Sequence, residues 1–130
     1  MIFLDSCILI YLVERTPGVY SLIERAMTRQ ARQRFAISPL VQMECLVGPL
    51  KDGDTSRQAA YARTFAQLVE LPLSPEVYHA AARLRTWHNL KTPDALHLAT
   101  ARHAKCASLW TNDDRLIGAA PGFAVNIKSL

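Results

Sequence analysis

Ile2-Phe3-Leu4-Asp5-Ser6 opens the chain as an apolar run that ends abruptly in an acid and a hydroxyl. A short apolar run of this kind is typical of a buried strand. In Cys7–Glu14 the apolar residues change toward helical spacing, so a helix is expected to follow the strand at once. In open α/β sheets, ligands bind beyond the carboxyl ends of the strands. The segment therefore predicts such a sheet, with Asp5 at its ligand-binding edge.

Further short apolar runs predict more strands, with helical segments between them. The strands are expected at Arg34–Ser38, Val69–Leu71, Ala107–Trp110 and Phe123–Ile127. The helices are expected at 17–30, 39–47, 56–67, 75–88 and 93–104, with a short one before the last strand. Helical crossovers between short strands imply a five-stranded, mainly parallel sheet that is covered on both faces.

Proline-containing pairs set the expected helix boundaries. Ser38-Pro39 and Ser74-Pro75 each place a capping hydroxyl before a proline at the first helical position, and Thr92-Pro93 looks like a third pair of this kind. Pro17 suits the first turn of another helix. Gly48-Pro49 is expected to end the helix that begins at Pro39.

Length and composition restrict the class of protein. The 130 residues suit one domain, residues 1–130, and the 50% hydrophobic and 20% charged content excludes a disordered chain. Three cysteines are an odd number, which argues against a disulfide framework and suits a reducing cytosol. No apolar run is long enough for a membrane span, and the start lacks the features of a signal peptide. We expect a cytoplasmic protein with no membrane contact.

Acidic residues are the candidate functional groups, and each falls near the carboxyl end of a predicted strand. Asp5 follows the first strand, and Asp113 follows the fourth after a short turn. Asp94 is expected at about the second position of its helix, and Glu44 two turns into the helix that leaves the second strand. Plain structural alternatives remain open: a cap for Asp5, a dipole partner for Asp94, and a turn residue for Asp113.

Glu44 is the hardest of these acids to explain structurally. Its helical neighbours Leu40, Val41 and Val47 are apolar, which places the carboxylate on the apolar face unless the side chain reaches out to solvent. Carboxylates that converge repel one another and need a counter-charge. A hard cation such as Mg²⁺ or Mn²⁺ prefers carboxylate oxygens and supports phosphodiester hydrolysis.

The acid-bearing segments together resemble the motifs of PIN-domain nucleases. The segments are Phe3–Tyr11, Ser38–Gly48, Thr92–Ala101 and Trp110–Leu116, in the family's order. Among these nucleases, the chain looks most like the ribonuclease toxins of VapBC type II toxin–antitoxin systems. One departure is Cys7, where the family often has Asn or Ser.

That resemblance implies a Rossmann-like three-layer α/β/α sandwich and Mg²⁺- or Mn²⁺-dependent cleavage of RNA. It also implies a homodimer and a cognate antitoxin that masks the site. By position, Asp5 and Asp94 would be the direct metal ligands, and Glu44 and Asp113 would act through waters or a second ion. Ser6 and Thr111 would orient ligands or water beside the first and last acids. Asp113 rather than Asp114 fits the family pattern.

Basic residues are the candidates for RNA contacts, because the net charge is +4 and eleven of the fifteen basic residues are arginine. The candidates are Arg25, Arg29, Arg32, Arg83, Arg85 and Lys91. A merely solvated helix face is the alternative for these stretches.

Two other functions stay open: a PIN-like module that binds RNA or protein without cutting, and a nuclease that acts on DNA. His97, three residues after Asp94, falls on the same helix face near the site, where we expect a packing or surface role and not a catalytic one.

Overall fold

A five-stranded sheet forms the centre of the molecule, and every pairing in it is parallel. The computed structural model describes all residues, Met1–Leu130. The strands are β1 (Ile2–Leu4), β2 (Phe35–Ile37), β3 (Val69–Glu70), β4 (Ser108–Thr111) and β5 (Ala124–Asn126). Their order across the sheet is β3-β2-β1-β4-β5. The predicted α/β class and five-stranded sheet are confirmed.

Seven α-helices connect the strands. They are α1 (Ser6–Val13), α2 (Tyr20–Arg29), α3 (Pro39–Lys51), α4 (Thr55–Phe65), α5 (Pro75–Trp87), α6 (Thr92–His103) and α7 (Asp114–Ala119), and a 3₁₀ turn follows at Ile127–Ser129. Helices α1 to α4 contact one another, and α5 packs on α6. Since parallel crossovers are right-handed, the reversal of strand order places these two groups on opposite faces. None of the helices is long and apolar enough to cross a membrane.

Strand β1 lies at the point where the strand order reverses. Phe3 pairs with Ala36 of β2 on one side and with Leu109 of β4 on the other. The chain leaves β1 toward β2 and later returns to the opposite side through β4. A crevice opens beyond the carboxyl ends of strands at such a reversal. Asp5 follows β1 directly, so the topology places it at this crevice.

Tightly packed side chains hold this edge of the sheet in place. Phe3, Leu4 and Leu98 have no exposed surface, and Trp110 is 2% exposed. The Trp110 ring lies 5.5 Å from the ring of Phe35, in a tilted arrangement. Close-packed interiors resist movement, so residues that directly follow β1 and β4 have fixed backbones.

One predicted helix end is wrong: α3 does not stop at Gly48-Pro49 but runs on to Lys51. A proline disfavours helical geometry in the preceding residue because its ring clashes with that residue's Cβ. Gly48 has no Cβ, so it stays helical. Pro49 lies in the last turn, where its missing N–H costs one hydrogen bond, while the Gly48 and Pro49 carbonyls still accept from Asp52 and Asp54.

Two predicted helix starts also need correction. Helix α2 begins at Tyr20 rather than at Pro17, because Gly18 has φ +81°, outside helical geometry. Thr92 is not the cap of α6 but its first residue, and the cap, Lys91, makes no side-chain bond. The Thr92 hydroxyl instead accepts a hydrogen bond from the Arg85 guanidinium at 2.9 Å. The Ser38 and Ser74 caps form as predicted.

Candidate metal centre

An open cavity of about 420 Å³ lies beyond the carboxyl ends of β1 and β4, and no hydrophobic residue lines it. Its lining residues are Glu44, Lys91, Pro93, Asp94, Asp113 and Arg115. Glu44, Asp94 and Asp113 are thus brought to one place from three separate segments. Asp5 adjoins them, since one of its carboxylate oxygens lies within 4.8 Å of an oxygen of Glu44.

Asp5 is the most buried of the acids, with 7% of its surface exposed. It caps α1, because its Oδ1 accepts the Ser6 backbone N–H at 2.7 Å, and the Ser6 hydroxyl lies 3.4 Å from the same oxygen. Its Oδ2 accepts the Thr111 hydroxyl at 2.7 Å. Asp5 therefore does cap α1, but an oxygen of the same carboxylate also lies within 4.8 Å of an oxygen of Glu44, which lines the cavity. Hydrogen bonds to both oxygens fix its orientation.

Thr111 links the first and last acids. Its hydroxyl donates to Asp5 and accepts the Asp113 backbone N–H at 3.0 Å. Thr111 has no exposed surface, so this arrangement is shielded from water. Asp113 in turn caps α7 by accepting the Arg115 N–H at 2.8 Å. One buried hydroxyl thus holds the positions of two carboxylates.

Glu44 lies at the border between the buried and exposed faces of α3. Val41 is buried, whereas Val47 is 57% exposed, so the expected apolar face around Glu44 exists on one side only. Its Oε1 lies 2.6 Å from His97 Nε2. The His97 Nε2 is also 3.7 Å from Asp5 Oδ1. Ligand atoms of Asp5, Glu44 and His97 all lie within 4.8 Å of one another.

His97 is the residue that sequence reasoning undervalued. It is 1% exposed, and its Nε2 faces oxygens of Asp5 and Glu44. Ionised carboxylates only accept, so we assign a proton to Nε2 and a hydrogen bond from Nε2 to Glu44 Oε1. Burial lowers the pKa of His97, but the Glu44 hydrogen bond and the charges of Asp5, Glu44 and Asp94 outweigh burial and raise it. A sequence signal existed: apolar residues dominate Ala95–Ala101 on both sides of His97, and an imidazole buried among them needs a polar partner.

Asp94 is the acid whose ionisation the structure disfavours. Burial, then the charges of Asp113 and Asp5, and to a smaller extent Glu44, raise its pKa above the ordinary value, while His97 opposes them. Asp94 is the third residue of α6, one position later than expected, where the helix dipole favours a negative charge. The charges of the neighbouring carboxylates thus add to burial in raising the pKa of Asp94.

The donor set fits a hard divalent cation. Carboxylate oxygens are the ligands that Mg²⁺ and Mn²⁺ prefer, and the mutual repulsion of these acids is the charge imbalance that such a cation relieves. Asp5 is oriented through Thr111, and Glu44 through His97. A protonated His97 Nε2 has no free lone pair, so within the group of Asp5, Glu44 and His97 the carboxylates are the groups suited to hold the cation.

Cationic side chains border the acids. Lys91 and Arg115 line the cavity, and neither forms a salt bridge with a protein acid. Arg83 lines another cavity on α5 and α6. Arg85 is engaged within the chain, where it donates to Leu90 O at 3.2 Å and to Thr92. The remaining RNA-contact candidates are exposed on or after α2 and line no cavity of the structure; they are Arg25, Arg29 and Arg32.

Cys7 does not provide a nucleophile at this site. Burial, and after it the charge of Asp5, raises the pKa of the Cys7 thiol to about 12. The neutral thiol lies 3.7 Å from Asp5 Oδ2 as a weak donor. Cys7 therefore occupies its place as a small, protonated side chain.

A parallel α/β sandwich that gathers carboxylates beyond β1 and β4 defines the PIN-like class of proteins. The PIN domain family matches residues 2–120. Ribonuclease VapC46 of Mycobacterium tuberculosis is 34% identical over 121 residues, which cover 92% of this chain and 89% of that protein. The chain belongs to the PIN domain family, and within the family it is similar to the VapC toxins.

Solved structures share the fold over nearly the full length. A chain of the toxin–antitoxin complex from Klebsiella pneumoniae is 26% identical with a TM-score of 0.78, and the match covers 98% of each chain. A chain of the DNA-bound VapBC complex from Salmonella typhimurium is 17% identical with a TM-score of 0.80, and the match covers 97% of each chain. The predicted PIN-like fold is confirmed.

Proposed function

We propose that this protein is a divalent-cation-dependent endoribonuclease and the toxin of a type II toxin–antitoxin system. The observation that carries the proposal is the cavity in which Glu44, Asp94 and Asp113 meet beside Lys91 and Arg115. The similarity of the chain to Ribonuclease VapC46 supports RNA as the substrate. In this proposal residues 1–130 act as one cytoplasmic domain.

The acids would hold the cation. Asp5 and Asp94 would be its direct ligands, and Glu44 and Asp113 would act through waters or a second ion. When bound, Mg²⁺ or Mn²⁺ supplies Lewis acidity, which neutralises charge on the scissile phosphodiester and makes water more acidic. Thr111 keeps Asp5 oriented, and His97 keeps Glu44 oriented, so the carboxylates need no reorganisation.

The basic residues of the cavity would position the substrate. Lys91 and Arg115 line the same cavity as the acids, and their charges are free of salt bridges. They would attract the anionic backbone and hold a phosphate against the acids. The arginine guanidinium suits this role because it binds phosphate with two parallel hydrogen bonds.

The proposed partners are a cognate antitoxin and a second copy of the chain. Support comes from a chain of a toxin–antitoxin complex, which matches nearly the whole length at 26% identity. An antitoxin that covers the cavity would block RNA from reaching Asp94. Activity must therefore be measured on chain that has been freed of any co-purified protein.

Matched RNA and DNA oligonucleotides test the proposed activity. The chain should cut the RNA in Mn²⁺ or Mg²⁺ and leave both polymers intact in EDTA. Preferential cutting of the DNA would mean that the substrate is DNA and not RNA. A chain that binds the cation and RNA but cuts neither polymer would instead be a binding module.

Thr111→Val should lower the cleavage rate by about 10- to 100-fold, the usual effect of removing a residue that orients a metal ligand. Valine keeps the shape of threonine but leaves Asp5 Oδ2 and the Asp113 N–H without the Thr111 hydroxyl. Thr111→Ser retains the hydroxyl and should stay near the wild-type rate. Cleavage assays at saturating Mn²⁺ check this, and a valine variant with wild-type activity would contradict the role of Thr111.

A further inference from the structure

A second cavity adjoins the acidic one. It has a volume of about 380 Å³ and is lined by Trp87, His88, Arg115 and neighbouring residues of the α5–α6 loop and α7. Arg115 lines both cavities, so it stands at their junction. A molecule that extends out of the acidic cavity past Arg115 therefore enters the cavity beside Trp87.

A third cavity continues the same surface. Its volume is about 330 Å³, and its lining includes Arg83, Trp87, Arg102 and His103. Trp87 is shared between the second and third cavities, as Arg115 is between the first and second. We call the second and third cavities together, from Arg115 past Trp87 to Arg83 and Arg102, the α5–α6 track.

Trp87 is unusually placed for a tryptophan. It is 68% exposed, whereas Trp110 in the core is 2% exposed. It is the last residue of α5, and Arg85 holds the following loop by donating to Leu90 O and the Thr92 hydroxyl. A large aromatic face is thus presented to solvent from a fixed backbone, and binding to it would cost little conformational entropy.

The charges along the track are positive. No acid lines the second or third cavity, and Arg83, Arg102 and Arg115 form no salt bridge. Arg102 lies over the Phe123 ring at 5.6 Å. A positive groove with an exposed aromatic face is the combination that binds single-stranded nucleic acid, through phosphate contacts and base stacking.

We propose that the α5–α6 track binds the single-stranded RNA that flanks the scissile phosphate, with one base stacked on Trp87 and the backbone held by Arg115 and Arg83. The choice of RNA rests on the proposed ribonuclease function. No acid lines the track, so it holds RNA that extends out of the acidic cavity and not the phosphate that is cut. It would contribute affinity and a preference for unpaired RNA on one side of the cleavage site.

Binding in EDTA separates this proposal from the proposed activity, because nothing is cut. A short labelled single-stranded RNA is titrated with the full chain and followed by anisotropy, and tryptophan fluorescence is read in parallel. Of the two tryptophans only Trp87 can stack on a base, because Trp110 is buried, so RNA should change the emission of Trp87. We expect RNA to quench it, and Trp87→Leu to weaken RNA binding roughly tenfold.

Matched variants make the result specific. Trp87→Phe keeps an aromatic face and should retain most of the affinity. Tyr78→Leu removes another exposed aromatic of α5 that lines none of these cavities, and should bind as wild type. Arg83→Gln should reduce the slope of log affinity against log salt by about 0.7, as expected for one phosphate contact on a single strand.

Several results would overturn the proposal. One is wild-type RNA affinity in Trp87→Leu. If that variant also loses self-association or antitoxin binding, Trp87 is a protein contact. The proposal would also fail if Tyr78→Leu weakened RNA binding as much as Trp87→Leu does, or if the wild-type chain did not bind RNA. If Trp87→Leu loses RNA affinity while the wild-type chain never cuts RNA, the track stands and the ribonuclease proposal fails.

Discussion

Asp94→Asn is expected to cut RNA about a hundredfold to a thousandfold more slowly than the wild-type chain, because a bound cation supplies several kcal/mol of transition-state stabilisation. Asparagine has nearly the same shape as aspartate but lacks the charge that a hard cation requires. Asp94 is the third residue of α6 and lines the cavity, so the substitution removes charge without emptying the core.

The fold of Asp94→Asn should be at least as stable as that of the wild-type chain. Burial and the nearby acids raise the pKa of Asp94. A carboxyl with a raised folded-state pKa stabilises the fold fully below its unfolded-state pKa, and loses that contribution as the pH rises through the folded-state value. At neutral pH, without a cation, ionised Asp94 therefore destabilises the fold, and asparagine removes this cost.

Asp114→Asn is the matched control for the charge change. Asp114 is exposed, adjoins Asp113 in sequence and does not line the acidic cavity. It should keep near wild-type cleavage and cation binding. Loss of activity in Asp114→Asn equal to that in Asp94→Asn would mean that overall charge, rather than the cavity, controls the reaction. Cleavage by Asp94→Asn at the wild-type rate would show that Asp94 is not part of the site.

Saturation with Mn²⁺ is expected to raise the Tm of the wild-type chain on the order of 10 °C. A ligand at a hundred times its Kd stabilises a fold by about 2.7 kcal/mol, and a domain of this size gains a few degrees per kcal/mol. The increase should shrink as the pH falls toward the titration of the acids, because protons compete with the cation. Thermal scans with and without EDTA measure it.

Asp94→Asn should lose most of this increase, and Asp114→Asn should keep it. An equal increase in all the variants would show that the cation binds outside the cavity. Because no RNA is present, this result is independent of the substrate. If no cleavage is seen, the thermal scan therefore tells whether the chain lacks a cation site or was assayed with an RNA that it does not cut.

The strand positions and most helix starts could be predicted because they depend on local chemistry. Ile2–Leu4 is a strand as predicted, and the other strands lie within two residues of their expected bounds. Ser38 and Ser74 cap their helices, since a serine followed by proline is a local signal. The end of α3 was missed because Gly48 relieves the strain that proline would impose on another residue.

The acids could be assigned to one edge because parallel topology aligns the carboxyl ends of the strands. The partners that orient them could not be, because they come from distant segments. Thr111 reaches Asp5 across 106 positions of the chain, and His97 reaches Glu44 across 53. Thr111 was known only as a position in a family pattern, and the Arg85–Thr92 bond depends on the packing of α5 against α6.

The location of Mn²⁺ in crystals of the purified chain tests the central claim most directly. The anomalous scattering of Mn²⁺ marks its position independently of any activity assay. We predict one strong peak in the acidic cavity, bound by Asp5 and Asp94, and no such peak in Asp94→Asn crystals grown under the same conditions. A peak elsewhere in the molecule, or none in the cavity at saturating Mn²⁺, would contradict a cation centre built from these acids.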